Sequence, residues 1–422
     1  MNKKLLLIPL ALLLALSLIA IGCPSTPTTT TPPTTAPPTT TTPTTTAPPT
    51  PEVKTLRIGF ITGLTGWASV GTVHQVHGAT VATEMLNDRG GLTINGQKYE
   101  IELVVEDDKS TTDGSVAATN KLVYDENIKF IGGYPLWFAA ASKDICEQEK
   151  VLRAIVWTCC TPGEIGPDTP YTFLCASATL EQAVAVLDYI KDTHPEVKTL
   201  ACFSPDDGTN QYTWPEIMSM LETRGLSRVG DLIVYPNDMV DASPIAAKVA
   251  ARDADAIFQV NGWSPHAGAM LKGLRELGDD RYYFGAVPAS AGEILAICGE
   301  AAATNFSCIN PTLGIAGNPP LLEEAGTKLV TEYGGPLNLL ALNGFDCVWC
   351  MAHAIEAAQS LDTTAVRDAW EQMDPIYTVY GTAHLGGLKT YGIQHTVAMP
   401  VAIELLDNGA PEFGAWEEVH LP

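Results

Sequence analysis

Leu56-Arg57-Ile58-Gly59-Phe60-Ile61 followed by Thr62-Gly63-Leu64-Thr65-Gly66 decides the fold. A short, mainly apolar run reads as a strand, and the glycines after it punctuate a turn. Ala79, Ala82, Met85 and Leu86 then recur at helical spacing, which predicts a helix over His77 to Asn87, ended by Gly90-Gly91. Outward from this unit the pattern repeats: a strand from Tyr99 to Glu106, a helix from Ser115 to Glu126, the strand Phe130 to Gly133, and a helix from Ala139 to Glu149. Strands alternating with helices at this spacing predict a parallel sheet covered by helices.

The alternation resumes with strands at Leu200–Phe203, Asp231–Tyr235, Ala256–Val260 and Tyr282–Phe284. Helices fall between them, one opening near Trp214-Pro215, one over Ile245–Arg252 and one over His266–Leu277. Two α/β units in succession suggest two lobes. Open α/β sheets bind ligands beyond the carboxyl ends of their strands, so two facing units make a cleft.

Before the first strand lie two segments that cannot belong to a core. Residues 1–23 place Lys3 and Lys4 ahead of the apolar run Leu5–Ile21, closed by Gly22-Cys23. This is the layout of an export signal, and the small residue before Cys23 matches a lipid-attachment site. Residues 24–51 contain 15 Thr, 10 Pro, one Ser and two Ala. Such composition buries nothing and favours extended polyproline II, a semi-rigid stalk. The expected layout is a signal over 1–22, a lipidated Cys23 with a linker to residue 54, and a globular part beyond.

Composition removes several function classes. Formal charge is −24 over 422 residues, or −26 without Lys3 and Lys4. That argues against a nucleic-acid partner and against adhesion to an anionic bilayer. No phosphate-binding loop, nucleophile elbow or zinc-binding His-Glu-x-x-His helix is present. His74 and His77 read as a polar helix start without a third ligand, and Glu106-Asp107-Asp108 as a solvated turn, so neither a metal nor a cofactor is expected. Nine cysteines remain beyond Cys23, an odd number. Cys298 and Cys308, flanking a short segment, are the favoured bridge. Cys347-x-x-Cys350 has the spacing of a redox pair but falls inside an expected helix, Asp346–Gln359, with no basic neighbour to activate a thiol. It reads as core.

The order of these pieces resembles the type I periplasmic-binding proteins of the branched-chain amino acid (Leu/Ile/Val-binding) group, which serve ABC importers. Ile58-Gly59-Phe60-Ile61 with Leu64-Thr65-Gly66 and His77-Gly78-Ala79 is similar to the family's first strand and helix. Glu102–Asp108 is similar to its second strand and acidic turn, and Ile131-Gly132-Gly133 to its third strand. Asn343-Gly344-Phe345-Asp346 and Tyr380-Gly381-Thr382 resemble later elements. The resemblance implies an α/β fold of two Rossmann-like lobes, residues 55–175 with 311–376 and residues 177–309 with 377–422. Three hinge crossings would fall near Cys175–Ala178, Cys308–Pro311 and Pro375–Thr378. It also implies a non-enzymatic role, capture of a small molecule for an ABC permease, with a sensory receptor of the same fold as the alternative.

Ligand contacts would then come from loops after the strands. On the first lobe these hold Trp67, Leu136, Trp137, Thr158, Cys159 and Thr161. On the second they hold Thr209, Asn210, Trp263 and Val287. The family's amino-acid binders carry an acid in the last loop to pair with the ligand's ammonium. Ala286-Val287-Pro288-Ala289 carries none, and the nearest is Glu293. Four of eight tryptophans, Trp67, Trp137, Trp157 and Trp263, fall on or beside these loops instead. Aromatic walls favour a flat or apolar ligand, so the expectation is an aromatic or branched apolar carboxylate, or an amide, over a zwitterionic amino acid.

Overall fold

The computed structural model describes residues 52–206 and 208–419. The proposed export signal, Cys23, the Thr/Pro stretch through residue 51 and Asp207 lie outside the described residues. Among the described residues no helix is long and apolar enough to cross a membrane.

Chain order shows how the two sheets are threaded. Strands β1 (Lys54–Thr62), β2 (Leu92–Ile94), β3 (Gln97–Asp107), β4 (Phe130–Gly133), β5 (Leu152–Ile155) and β6 (Thr172–Leu174) belong to the first sheet. The chain then builds the second with β7 (Thr199–Asp206), β8 (Ser227–Arg228), β9 (Ile233–Pro236), β10 (Ala256–Gln259), β11 (Tyr283–Pro288) and β12 (Phe306–Ile309). It returns to the first with β13 (Ile376–Thr378), β14 (Gly381–Gly386) and β15 (Thr396–Ala398). It ends on the second with β16 (Val401–Asp407) and β17 (Ala410–Glu417). The sheet orders are β13-β14-β15-β6-β5-β4-β1-β3-β2 and β17-β16-β12-β11-β10-β7-β8, with β9 also on β7.

The first sheet's centre is parallel, β3-β1-β4-β5-β6, with Phe60 opposite Val105 on one side and Gly132 on the other. Ile58, Phe60, Ile131, Leu152 and Phe173 are buried, as strands covered by helices on both faces require. The helix Ser69–Asp88 lies against the helix Leu339–Ala358. A Cβ on Gly78 would sit 1.6 Å from the Ala341 carbonyl, so the two backbones touch and glycine is needed there.

The chain passes from the first sheet to the second between β6 and the helix Thr179–Thr193, and returns just after β12. Its last passage lies apart from Pro375–Thr378. The chain leaves the first sheet after β15, at Met399-Pro400, more than twenty residues beyond Pro375. Residues 377–398 therefore sit on the first lobe. β13, β14 and β15 are short strands at one margin of the sheet, antiparallel to one another and joined to its parallel centre by β15 on β6, with Gly381, Gly386 and Gly387 at their ends. The helix expected to open at Trp214-Pro215 begins earlier, at Asn210, with Pro215 inside it. Cys298 and Cys308 are not bridged; both are buried free thiols.

Candidate functional site

The carboxyl ends of the parallel strands of both sheets face one another, and the loops beyond them meet around a narrow cavity. From the first lobe come Trp67, Thr72, Gln75, Leu136, Trp137 and Trp157; from the second, Pro205, Asn237, Asn261, Gly262, Trp263 and Pro288. Leu340, at the start of the helix Leu339–Ala358, completes the wall.

Each loop is held by its own polar anchors. The turn after β1 is pinned by the acidic turn after β3. Asp107 accepts from the Leu64 and Thr65 amides at 2.9 and 3.2 Å and from the Thr65 hydroxyl at 2.6 Å. Glu106-Asp107-Asp108 is thus no simple solvated turn: Asp108 is buried, accepts from the Ser110 amide, and is pushed up to about 6 by burial. Thr62 donates to Gln75 at 2.9 Å, and Thr72 donates to the Gly63 carbonyl at 2.7 Å, tying the helix start to the strand end.

After β4 the backbone turns through left-handed Tyr134 (φ 60°) and Leu136 (φ 59°), which places Leu136 and Trp137 at the cavity. Trp137 and Trp67 lie stacked, ring centroids 6.5 Å apart and planes 28° from parallel. On the second lobe Gly262 has φ 147°, and a Cβ there would fall 2.3 Å from Gln259 Nε2. Gln259 itself donates to the Tyr235 hydroxyl and the Asn261 carbonyl and accepts from Tyr283, so a buried polar cluster carries the Asn261–Trp263 loop.

Of the residues expected at the site, Trp67, Leu136, Trp137 and Trp263 line the cavity. Thr158, Cys159 and Thr161 do not, because they wrap a carboxylate of their own chain. The Thr158 hydroxyl, the Cys159 amide and the Thr161 amide donate to one Glu164 oxygen at 3.1, 3.1 and 2.6 Å. Glu164 is fully buried, and burial pushes its carboxyl up to about 8. Thr209 sits at the start of the helix Asn210–Thr223, and Asn210 donates to the Pro205 carbonyl at 2.7 Å, so both support a wall they do not form. Val287 is buried in the second lobe's core, and its neighbour Pro288 takes the place at the cavity. Thr72, Gln75, Pro205, Asn237 and Leu340 lie outside the expected loops. The strand-end rule would have found Asn237, which directly follows β9; nothing local marks Leu340.

Among the residues lining this cavity none is ionised: amides, Thr72, prolines, aliphatic groups and four tryptophans make the wall. Among the described residues no group of three or more His, Cys, Asp or Glu side chains could hold a metal ion. A second chamber of about 240 Å³ adjoins the first across Trp263, Pro288 and Leu340. It contains Glu293, which accepts from Ser264 at 2.5 Å and from Asn338 at 3.0 Å.

The sequence profile of the periplasmic binding proteins matches residues 55–404. The chain belongs to this family. Its members bind solutes and are not enzymes. Leu/Ile/Val-binding protein homolog 3 of Brucella melitensis is 25% identical over 335 residues, covering 78% of this chain and 86% of that protein. Among solved structures, the branched-chain amino acid transporter substrate binding protein LivJ of Streptococcus pneumoniae, in complex with isoleucine, superposes with a TM-score of 0.70 at 19% identity. That match covers 87% of this periplasmic binding protein and 99% of LivJ. A solute binding protein of an ABC transporter from Rhodopseudomonas palustris, in complex with 3,4-dihydroxy benzoic acid, gives 0.68 at 17%, covering 87% and 98%. These likenesses establish a type I periplasmic-binding fold.

Proposed function

We propose that this protein is the solute-binding lipoprotein of an ABC importer. Cys23 carries the lipid, the Thr/Pro segment is the stalk, and the two lobes close on a small organic molecule outside the cytoplasm. The ligand has a flat or branched apolar body: an aromatic or branched-chain amino acid, amide or carboxylate. One observation carries the reading. Tryptophans from both lobes converge on a single uncharged cavity at the strand ends, where a bound guest touches both lobes at once and holds them together. The relatives support it, since Leu/Ile/Val-binding proteins and a dihydroxybenzoate binder share the family or the fold.

A thermal-shift panel of aromatic and branched-chain amino acids, their amides and the matching carboxylates tests this. Binding at a hundredfold excess over Kd stabilises the folded chain by about 2.7 kcal/mol, which is a measurable rise in Tm. At least one member is expected to raise Tm in the wild type and not in a Trp137→Ala/Trp263→Ala variant. A panel without any hit, or a hit indifferent to both tryptophans, overturns the assignment. Radiolabelled palmitate incorporated by the wild type and not by Cys23→Ser tests the anchor.

A further inference from the structure

We propose that Glu293 and Asn338 are a latch, a hydrogen bond between the lobes that favours their closed arrangement whichever solute is captured. This rests on the reading of the cleft as a site that closes on a solute, and adds two residues that position the lobes without touching the guest.

The two residues belong to opposite lobes. Asn338 precedes the helix Leu339–Ala358, which packs on the first lobe's helix Ser69–Asp88. Glu293 lies in the first turn of the helix Ala291–Cys298, between β11 and β12 of the second sheet. Each is held in place by its own lobe. Asn338 Oδ1 caps its helix, accepting from the Leu340 amide at 2.9 Å, which leaves Nδ2 to donate across to Glu293 Oε1 at 3.0 Å. The Ser264 hydroxyl, on the second lobe, donates to Glu293 Oε2 at 2.5 Å. Side chains fixed beforehand lose little ordering entropy when the lobes meet.

The acceptor is a carboxylate, and hydrogen bonds to ionised groups are roughly twice as strong as neutral ones. Among the described residues no Lys or Arg lines the chamber around Glu293 to compete with Asn338, and burial holds His74, on the same wall, below its ordinary pKa. The latch also lies beside the pivot. Leu337, next to Asn338, accepts through its carbonyl from Asn310, where the chain returns after β12, at 3.1 Å. Glu404 accepts from Asn310 at 3.2 Å and from the Ala291 amide at 2.7 Å. Asn310 thus pins the two lobes, and rotation about that pin moves the ends of the latch relative to each other. A bond 3.0 Å long is lost beyond about 3.5 Å, so a small opening breaks it. The pair lines the chamber beyond Trp263, outside the tryptophan cavity. A guest among the tryptophans gains the latch without contacting it, and every guest gains it equally, since apparent affinity scales with the fraction of protein in the competent arrangement.

Isothermal titration with L-leucine, L-phenylalanine, benzoate and benzamide, alongside small-angle scattering without added ligand, tests the latch. Asn338→Asp keeps the helix cap, since Asp caps as well as Asn, but sets a carboxylate against Glu293. Every probe that binds the wild type should bind this variant at least about tenfold more weakly, by one common factor, and the radius of gyration without ligand should rise. Adding Glu293→Gln to Asn338→Asp exchanges donor and acceptor, and affinity should return to within about threefold of wild type. Glu293→Gln alone, which does not depend on the folding of the first variant, makes the acceptor neutral and should weaken every probe by a smaller, equally uniform factor. Wild-type affinity and scattering in Asn338→Asp, a swap that restores nothing, or losses that differ widely from probe to probe overturn the latch and leave the cleft reading intact. If no probe binds the wild type, the cleft reading fails, and an unchanged radius of gyration in Asn338→Asp then overturns the latch by itself.

Discussion

A methyl group added at Gly71 meets Trp263 from the opposite lobe. Gly71 lies in the first turn of the helix Ser69–Asp88. A Cβ there would stand 2.7 Å from Trp263 Cζ3, 3.0 Å from Cε3 and 3.3 Å from Leu340 Cδ1. Ordinary carbon contacts begin near 3.5 Å, so the indole must retreat by several tenths of an ångström. Overpacking of this kind costs about 1–3 kcal/mol. The cost falls on the arrangement in which the lobes meet, not on either lobe alone. Within its own helix Gly71→Ala removes a residue about 1 kcal/mol less favourable than alanine. Affinity should therefore drop roughly 5- to 150-fold while Tm of the ligand-free protein holds or rises. Calorimetric titration with a ligand identified by thermal shift, alongside scanning calorimetry, reads both. In a Trp263→Ala background the same substitution should be silent, since coupling needs both partners. Unchanged affinity in Gly71→Ala, or a fall in Tm that accounts for the loss, refutes the reasoning.

Other consequences are open to simple assays. Burial pushes Glu164 up to about 8 and Glu181 and Glu404 up to about 7, all above the ordinary 4.5. In the folded chain these groups keep their protons between about 4.5 and 7–8, whereas the unfolded chain releases them. Stability is then full below pH 4.5 and declines as pH rises to about 8, by at most about 1.4 kcal/mol per pH unit for each group. Denaturant titrations from pH 5 to 8 should show the decline, and Glu164→Gln should make it shallower; a rise with pH contradicts the assignment. Arg153 is fully buried, donates to Thr172 at 2.9 Å and to the Ala139 carbonyl at 2.7 Å, and lies over the Tyr134 ring. Arg153→Met should cost about 3 kcal/mol of unfolding free energy in urea, and a loss under 1 kcal/mol would contradict that packing. Cys298 and Cys308 are separate buried thiols. In denaturant without reductant, Cys298→Ala should lower the thiol count by one, and a count raised by one would restore their bridge.

Much of the architecture was legible because strands covered on both faces read as unbroken apolar runs; Phe130–Gly133 and Ala256–Gln259 are examples, wholly buried. The third crossing was not legible. β13, the edge strand, has only three residues with Tyr377 exposed, and β14 beside it is bounded by Gly381 and Gly386, too little apolar pattern to mark the chain as still on the first sheet. The helix Leu339–Ala358 was expected to start seven residues late because its first half is buried all round, so no apolar stripe marks its beginning. At the cleft, the tryptophans could be placed from sequence because they follow strand ends. The Thr158–Thr161 loop could not, since its hydrogen-bond donors are claimed by Glu164, a competitor that spacing alone does not reveal. Glu293, the acid nearest in sequence to the loop after β11, lies in the helix Ala291–Cys298 and lines the chamber beside Trp263.

Small-angle scattering of the purified protein with and without a stabilising ligand tests capture between the lobes most directly. The radius of gyration should contract on saturation, and the contraction should vanish in the Trp137→Ala/Trp263→Ala variant. A ligand that raises Tm while leaving the scattering curve of the wild type unchanged would mean that the guest sits elsewhere.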